Sequence, residues 1–155
     1  MKVRVAFLQD AETIAKNNMK LAEDFSQIEN VPVDIQFQTV QRGVVSTIKD
    51  QNKGFYLVAE DHGKVVGQIF ITSEWSDWRS QEIWWLHRIF VQRDMRRKGI
   101  LRLLLEDIKK KAKKNNIYAI RLYLHQKNHD AIKAYQKLGL IESPFKIFSK
   151  PRMDR

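Results

Sequence analysis

Cysteine is absent from the 155-residue chain, which excludes a disulfide framework, a thiol nucleophile and thiolate-bound zinc. No apolar run nears the roughly 20 residues that cross a bilayer. The first residues also lack the basic stretch and apolar core that direct export. The expectation is a cytoplasmic protein with no membrane partner and no metal. Proline, at 3 residues, and glycine, at 6, are scarce and fall where elements should end. Repeats and low-complexity linkers are missing, so one domain over residues 1–155 is expected.

Positive charge is plentiful. Lys and Arg number 28 against 18 Asp and Glu, a net +10, which predicts attraction to a polyanion. Nucleic acid, a membrane surface and a phosphorylated cofactor all fit that total, so position must discriminate. The run 109–114, Lys-Lys-Lys-Ala-Lys-Lys, falls late in an amphipathic helix, where cations favour the dipole. It reads as a solvated face. No zinc spacing, recognition helix or ribonucleoprotein-type aromatic motif accompanies it, so nucleic acid is not an expected partner.

The 43% hydrophobic content can build a core, and its spacing predicts elements. Val3 and Val5 begin a strand, and Asp10 could cap a helix running to about Phe25. Pro32 interrupts, and Asp34 could cap a second helix carrying Ile35, Val40, Val44 and Ile48 on one side. Residues 55–60 and 65–72 flank Asp61-His62-Gly63-Lys64 as a β-hairpin. A strand from about Ile83 to Val91 follows, then a helix with Leu101, Leu104, Leu105, Ile108 and Ala112 inward. Ile120, Leu122 and Leu124 alternate as a strand, and Asn128 and Asp130 open a short helix closed by Gly139. Residues near 141–149 are apolar enough for a last strand, although Pro144 stands within them. The predicted class is α/β, with a mostly antiparallel mixed sheet containing one parallel pair and flanked by helices.

Between the strand ending at Val91 and the next helix lie Arg96-Arg97-Lys98-Gly99-Ile100-Leu101-Arg102. Basic residues oppose the dipole at a helix start, so three in a row there are better explained by a bound anion. The first turn's backbone N–H groups lack internal partners. A glycine lets them approach a diphosphate. The plainer alternative is a solvated basic turn.

This segment resembles the [Q/R]-x-x-G-x-[G/A] element by which GNAT acetyltransferases hold acetyl-CoA, with Leu101 standing where the family has glycine or alanine. Asn128-His-Asp-Ala131-Ile-Lys-Ala-Tyr135-Gln-Lys-Leu-Gly139-Leu140 looks like the family's second block. The resemblance spans Phe55 to Gly139. It implies acetyl-CoA as donor, held by Ile89, Phe90, Val91, Arg96, Arg97, Lys98, Gly99, Ile100, Leu101, Arg102, Asn128 and Tyr135. It implies that the strand ending at Val91 splays from its parallel neighbour and offers a backbone N–H to the thioester carbonyl. It makes Tyr135 the catalytic acid toward the departing thiolate. Tyr135 also suits a core helix face, and Asn128 also suits a helix cap.

Transfer to nitrogen needs a neutral amine. An alkyl ammonium near pKa 10.4 is deprotonated only about once in 2,500 molecules at neutral pH, so a base is needed. His87, four residues before Val91, is the chosen catalytic base, with Glu82 and Glu74 in reserve; sheet neighbours could equally satisfy its ring. Glu74, Trp75, Asp77, Trp78 and Trp85 are the candidate acceptor-binding residues, since carboxylates and indole faces attract a cationic amine. They also suit a hairpin loop with packing tryptophans. The expected function is direct transfer, in a ternary complex, of acetyl to a primary amine of a small molecule, with a homodimer open. The alternatives are a protein lysine or N-terminus as acceptor, or a basic acetyl-CoA- or nucleic-acid-binding module without catalysis.

Overall fold

Alternating apolar residues on either side of a two-residue turn build the centre of the sheet in the computed structural model, which describes residues 1–154. β2 (Phe55–Asp61) and β3 (Lys64–Ser76) pair antiparallel. They are joined through His62 at φ +49° and Gly63 at φ +77°. Two successive left-handed residues match the right-handed twist of the flanking strands. β1 (Lys2–Val5) extends the sheet on one side and β4 (Gln81–Val91) on the other, both antiparallel. β5 (Ala119–Leu122) then pairs parallel with β4, giving the order β1-β2-β3-β4-β5. The chain is an α/β protein with a mixed, mostly antiparallel sheet flanked by helices.

Helices cover both faces. α1 (Ala11–Glu29) and α2 (Phe37–Lys49) pack over one face, where Ile14, Ala15 and Val44 meet Tyr56 and Val58. α3 (Ile100–Lys114) covers the other face and buries Ile100, Leu104, Leu105, Ile108 and Ala112. By strand alternation Leu57, Ile69 and Ile71, all 0% exposed, point toward α3. Gly67 permits that approach: a Cβ there would stand 2.8 Å from Ile100 Cγ2.

Two expected helix caps are corrected. Asp10 precedes α1 but makes no cap hydrogen bond. Its carboxylate instead accepts from Arg4 at 2.7 and 3.0 Å and from the Phe7 amide at 2.7 Å, since a charge-assisted pair with a guanidinium is stronger than a bond to a helix amide. Asp34 lies outside α2, whose cap position is Gln36, with no side-chain bond. Ile35 therefore lies before the helix and is exposed.

β4 carries a bulge. Gln68 pairs with Phe90 and Phe70 with His87, so Arg88 and Ile89 oppose the single residue Ile69. Arg88 takes φ +50°, an uncommon state for a residue with a Cβ. The parallel pairing with β5 ends at Leu86–Leu122, while β4 continues to Val91. The second half of β4 thus lacks a neighbour on that side among the described strands.

Residues 1–123 form one compact unit, and a second begins at Leu124. The second unit holds α4 (His129–Lys137), whose cap Asn128 accepts from the Ala131 amide at 3.3 Å. Gly139, at φ +91°, ends it: its own amide bonds Gln136 O and the Leu140 amide bonds Tyr135 O. The strand expected near 141–149 does not form. Pro144 has no N–H for a ladder, and Ile141, Phe145 and Phe148 are 86–92% exposed. Apolar content gave that segment strand propensity without a neighbour to pair with.

Candidate active site

The turn before α3 is built without a cap. Arg93–Met95 make one turn of 3-10 helix, Arg97 takes φ +63°, and Gly99 takes φ +82° as the residue before α3. No side chain caps the helix and no acidic residue occupies its first turn. The first intrahelical bond runs from the Leu103 amide to Gly99 O, leaving the amides of Ile100, Leu101 and Arg102 without helix partners. A Cβ built on Gly99 would meet nothing within 4 Å. Glycine is therefore required there by its left-handed backbone, and the space outside it is open. Arg96, Arg97 and Lys98 are exposed around this opening. Arg96 Nε donates to Val91 O at 3.0 Å, and its guanidinium lies 5.8 Å from the buried Phe90 ring. A residue with free amides, a positive dipole end and three cations can hold a diphosphate. Ile100 is buried and anchors the helix start, while Leu101 is half-exposed.

His87 lies on the α1 side of β4. Its Nε2 is 2.8 Å from Thr72 Oγ1, and its ring contacts Phe70 and Tyr123 at centroid distances of 5.7 and 5.8 Å. Partial burial, helped by the neighbouring Arg88 charge, pulls its pKa below the usual value. The imidazole is therefore neutral at pH 7, the state a base requires. Trp85 stands two residues earlier on the same face, 6.3 Å from Tyr123, and donates its indole N–H to Glu74 Oε1 at 3.2 Å. The strands thus bring Glu74, Trp85 and His87 to one face. Trp75 falls on the opposite face by alternation, alongside Glu82, which accepts from Ser73 Oγ at 2.7 Å. Asp77 and Trp78 sit in the turn, with Trp78 91% exposed. Thr72 and Tyr123 went unnoticed in the sequence; their strand alternation with Trp85 and His87 was the available clue.

Tyr135 sits partly buried on α4, and burial pushes its phenol up to about 12. Of the lysines in 109–114, Lys111 pairs with Asp107 at 2.7 Å and Lys109 with Glu106 at 3.4 Å. A cleft of about 500 Å³ opens between Phe55, Trp84 and Lys110, Lys111 and Lys114. None of the candidate residues lines it.

The sequence of residues 19–140 matches the acetyltransferase (GNAT) family. A possible acetyltransferase from Clostridium difficile 630 is 33% identical with a TM-score of 0.86, covering 98% of this chain and 97% of that one. An uncharacterised N-acetyltransferase of Methanocaldococcus jannaschii is 33% identical over 96 residues. That match takes in 61% of this chain and 42% of the archaeal protein, so the chain spans less than half of that relative's length. A predicted acetyltransferase with acetyl-CoA from Clostridium acetobutylicum shares the fold at 16% identity, TM-score 0.73, over 96% of this chain and 95% of that one.

Proposed function

Because the chain belongs to the GNAT acetyltransferase family, we propose that it transfers acetyl from acetyl-CoA directly to the primary amine of a small molecule in a ternary complex. The observation that carries this reading is the uncapped start of α3. Three amides without helix partners follow a left-handed Gly99 with open space outside it, directly after the exposed Arg96, Arg97 and Lys98. A helix start so arranged is poorly stabilised on its own and well suited to an anion.

When bound, acetyl-CoA supplies an activated acyl group. The residues around it divide the remaining work. Arg96, Arg97, Lys98 and the amides from Gly99 to Arg102 neutralise the diphosphate. The backbone from Ile89, in the bulge, through Phe90 and Val91 offers N–H groups to the acyl carbonyl as charge develops on oxygen. His87 takes the proton that the acceptor nitrogen gives up as its bond to carbon forms. Glu74 and Trp85, on the same face as His87, attract the acceptor's positive charge before that step. Asn128 holds the amide-rich arm in addition to capping α4.

Tyr135 serves the departing sulfur. With its phenol near 12 and a thiol near 8.5, complete transfer of its proton would run uphill by roughly 5 kcal/mol. Its role is therefore a hydrogen bond that strengthens as negative charge gathers on sulfur, with solvent supplying the final proton. Tyr135→Phe should lower kcat while changing acetyl-CoA affinity little, and an unchanged kcat would refute the role.

Calorimetry with acetyl-CoA, followed by thiol release across a panel of amines, amino acids and peptides, tests the whole reading. Binding with turnover of small amines is expected. An absence of binding would overturn the acetyl-transfer reading, and turnover of peptides alone would move the acceptor to protein.

A further inference from the structure

Four side-chain amides connect α1 to the β4 bulge. Asn17, Asn18 and Gln68 are 1%, 7% and 0% exposed; Gln92 follows β4 and is half-buried. Gln68 Nε2 donates to the Arg88 carbonyl at 3.2 Å and to Asn18 Oδ1 at 2.8 Å. Its Oε1 accepts from Asn17 Nδ2 at 3.0 Å. Asn18 Nδ2 then donates to the Tyr56 hydroxyl at 3.0 Å, and Gln92 Nε2 donates to Asn17 Oδ1 at 3.1 Å. No buried side-chain nitrogen or oxygen among the described residues is left without a partner.

The direction of every bond in this chain follows from one atom. A backbone carbonyl can only accept, so Gln68 must turn its nitrogen toward Arg88. That orientation obliges Asn18 to present oxygen to Gln68 and nitrogen to Tyr56. It equally obliges Asn17 to present nitrogen to Gln68 and oxygen to Gln92. Reversing any one amide would face oxygen against oxygen or nitrogen against nitrogen, and three of the four amides are buried.

The carbonyl so held belongs to the residue with a left-handed backbone in the bulge. A bulge leaves an extra residue unpaired in the ladder, and here Gln68 supplies from its side chain the donor for the displaced carbonyl. The bulge of Arg88 and Ile89 lies between His87 and the backbone of Phe90 and Val91. Its geometry therefore fixes the offset between the base and the carbonyl-facing backbone.

We infer that Gln68 is a positioning residue for acetyl transfer, acting through the Arg88 carbonyl, with Asn17 and Asn18 of α1 setting its orientation. This rests on the acetyl-transfer reading. It adds that α1 and the reacting strand move as one body, so a displacement of α1 by a bound acceptor reaches the base and the oxyanion contacts together.

Gln68→Met keeps the side chain's length and removes the donor. None of the network's hydrogen bonds reaches α3, whose first amides face the diphosphate in this reading, so acetyl-CoA affinity by calorimetry should change less than about threefold. kcat should fall about tenfold to a hundredfold, the range for small misplacements of reacting groups. Gln92→Met, at the half-buried end of the network, should lower kcat about tenfold with acetyl-CoA affinity again within about threefold, and it serves if Gln68→Met does not fold. A lowered melting temperature with kcat unchanged in whichever variant folds would overturn the inference and leave a purely structural network. If wild-type protein binds acetyl-CoA and turns over, such a result sinks this inference alone. A wild type that binds no acetyl-CoA sinks the acetyl-transfer reading and this inference with it.

Discussion

At His87, partial burial and the Arg88 charge both oppose protonation, so the ring keeps a free lone pair at neutral pH. Its usefulness is greatest where free amine is scarce. His87→Ala should lose most activity near pH 6.5–7.5 and approach wild type above about pH 9.5, where the amine itself begins to deprotonate. A profile of kcat/KM against pH checks this, and a parallel loss at every pH would count against a base. Asp10 makes a second residue-scale prediction. Burial alone would raise its pKa, but hydrogen bonds from Arg4 and the Phe7 amide outweigh that and hold it below the usual carboxylate value. A depressed folded-state pKa contributes stability above the unfolded pKa and loses it as pH falls through the folded one. Asp10→Ala should cost about 3 kcal/mol at pH 7 by leaving Arg4 partly buried without its main partner. The gap from wild type should close below about pH 4, as read by urea unfolding at several pH values.

Between elements, Gly67 of β3 meets Ile100 at the head of α3, where an added Cβ would lie 2.8 Å from Ile100 Cγ2. Gly67→Ala should cost about 1–3 kcal/mol and weaken acetyl-CoA binding, since it pushes away the turn that holds the anion. Ile100→Ala removes the clashing methyl, so the double variant should lose less than the sum of the single losses; thermal unfolding of all three settles it. Element order was legible because periods of 2 and 3.6 are carried by many residues at once. The phosphate turn was legible because basic residues at a helix start contradict local stability. The bulge was not, since Leu86-His87-Arg88-Ile89-Phe90 reads as continuous strand and nothing local marks Arg88 as left-handed. The amide network left one trace, a glutamine inside the apolar run Val65 to Ile71 and two asparagines on the inward side of α1. The caps at Asp10 and Asp34 failed because cap chemistry is short-ranged and a nearby guanidinium decided Asp10.

Across the whole molecule the net charge is +10, and two groups of cations at the ends of α3 have opposite meanings. At the α3 start the cations oppose the helix dipole; at its end they agree with it. Only the first group calls for a ligand. Raising salt from about 50 to 500 mM should weaken acetyl-CoA binding through Arg96, Arg97 and Lys98, and alanine at Arg97 should flatten that dependence. Duplex DNA and RNA should compete poorly with acetyl-CoA in filter binding; strong salt-sensitive retention of nucleic acid without cofactor affinity would reverse the assignment.

The bulge in β4 has a further consequence, which is arithmetic. Two residues facing one shift the odd and even positions of the strand, so the side chains before Arg88 and after Ile89 follow different parity. Removing either residue would restore an unbroken count, leave Phe90 across from Gln68 and erase the bulge. A one-residue deletion here should therefore keep the strand paired and lose the offset that the bulge sets between His87 and the strand's second half.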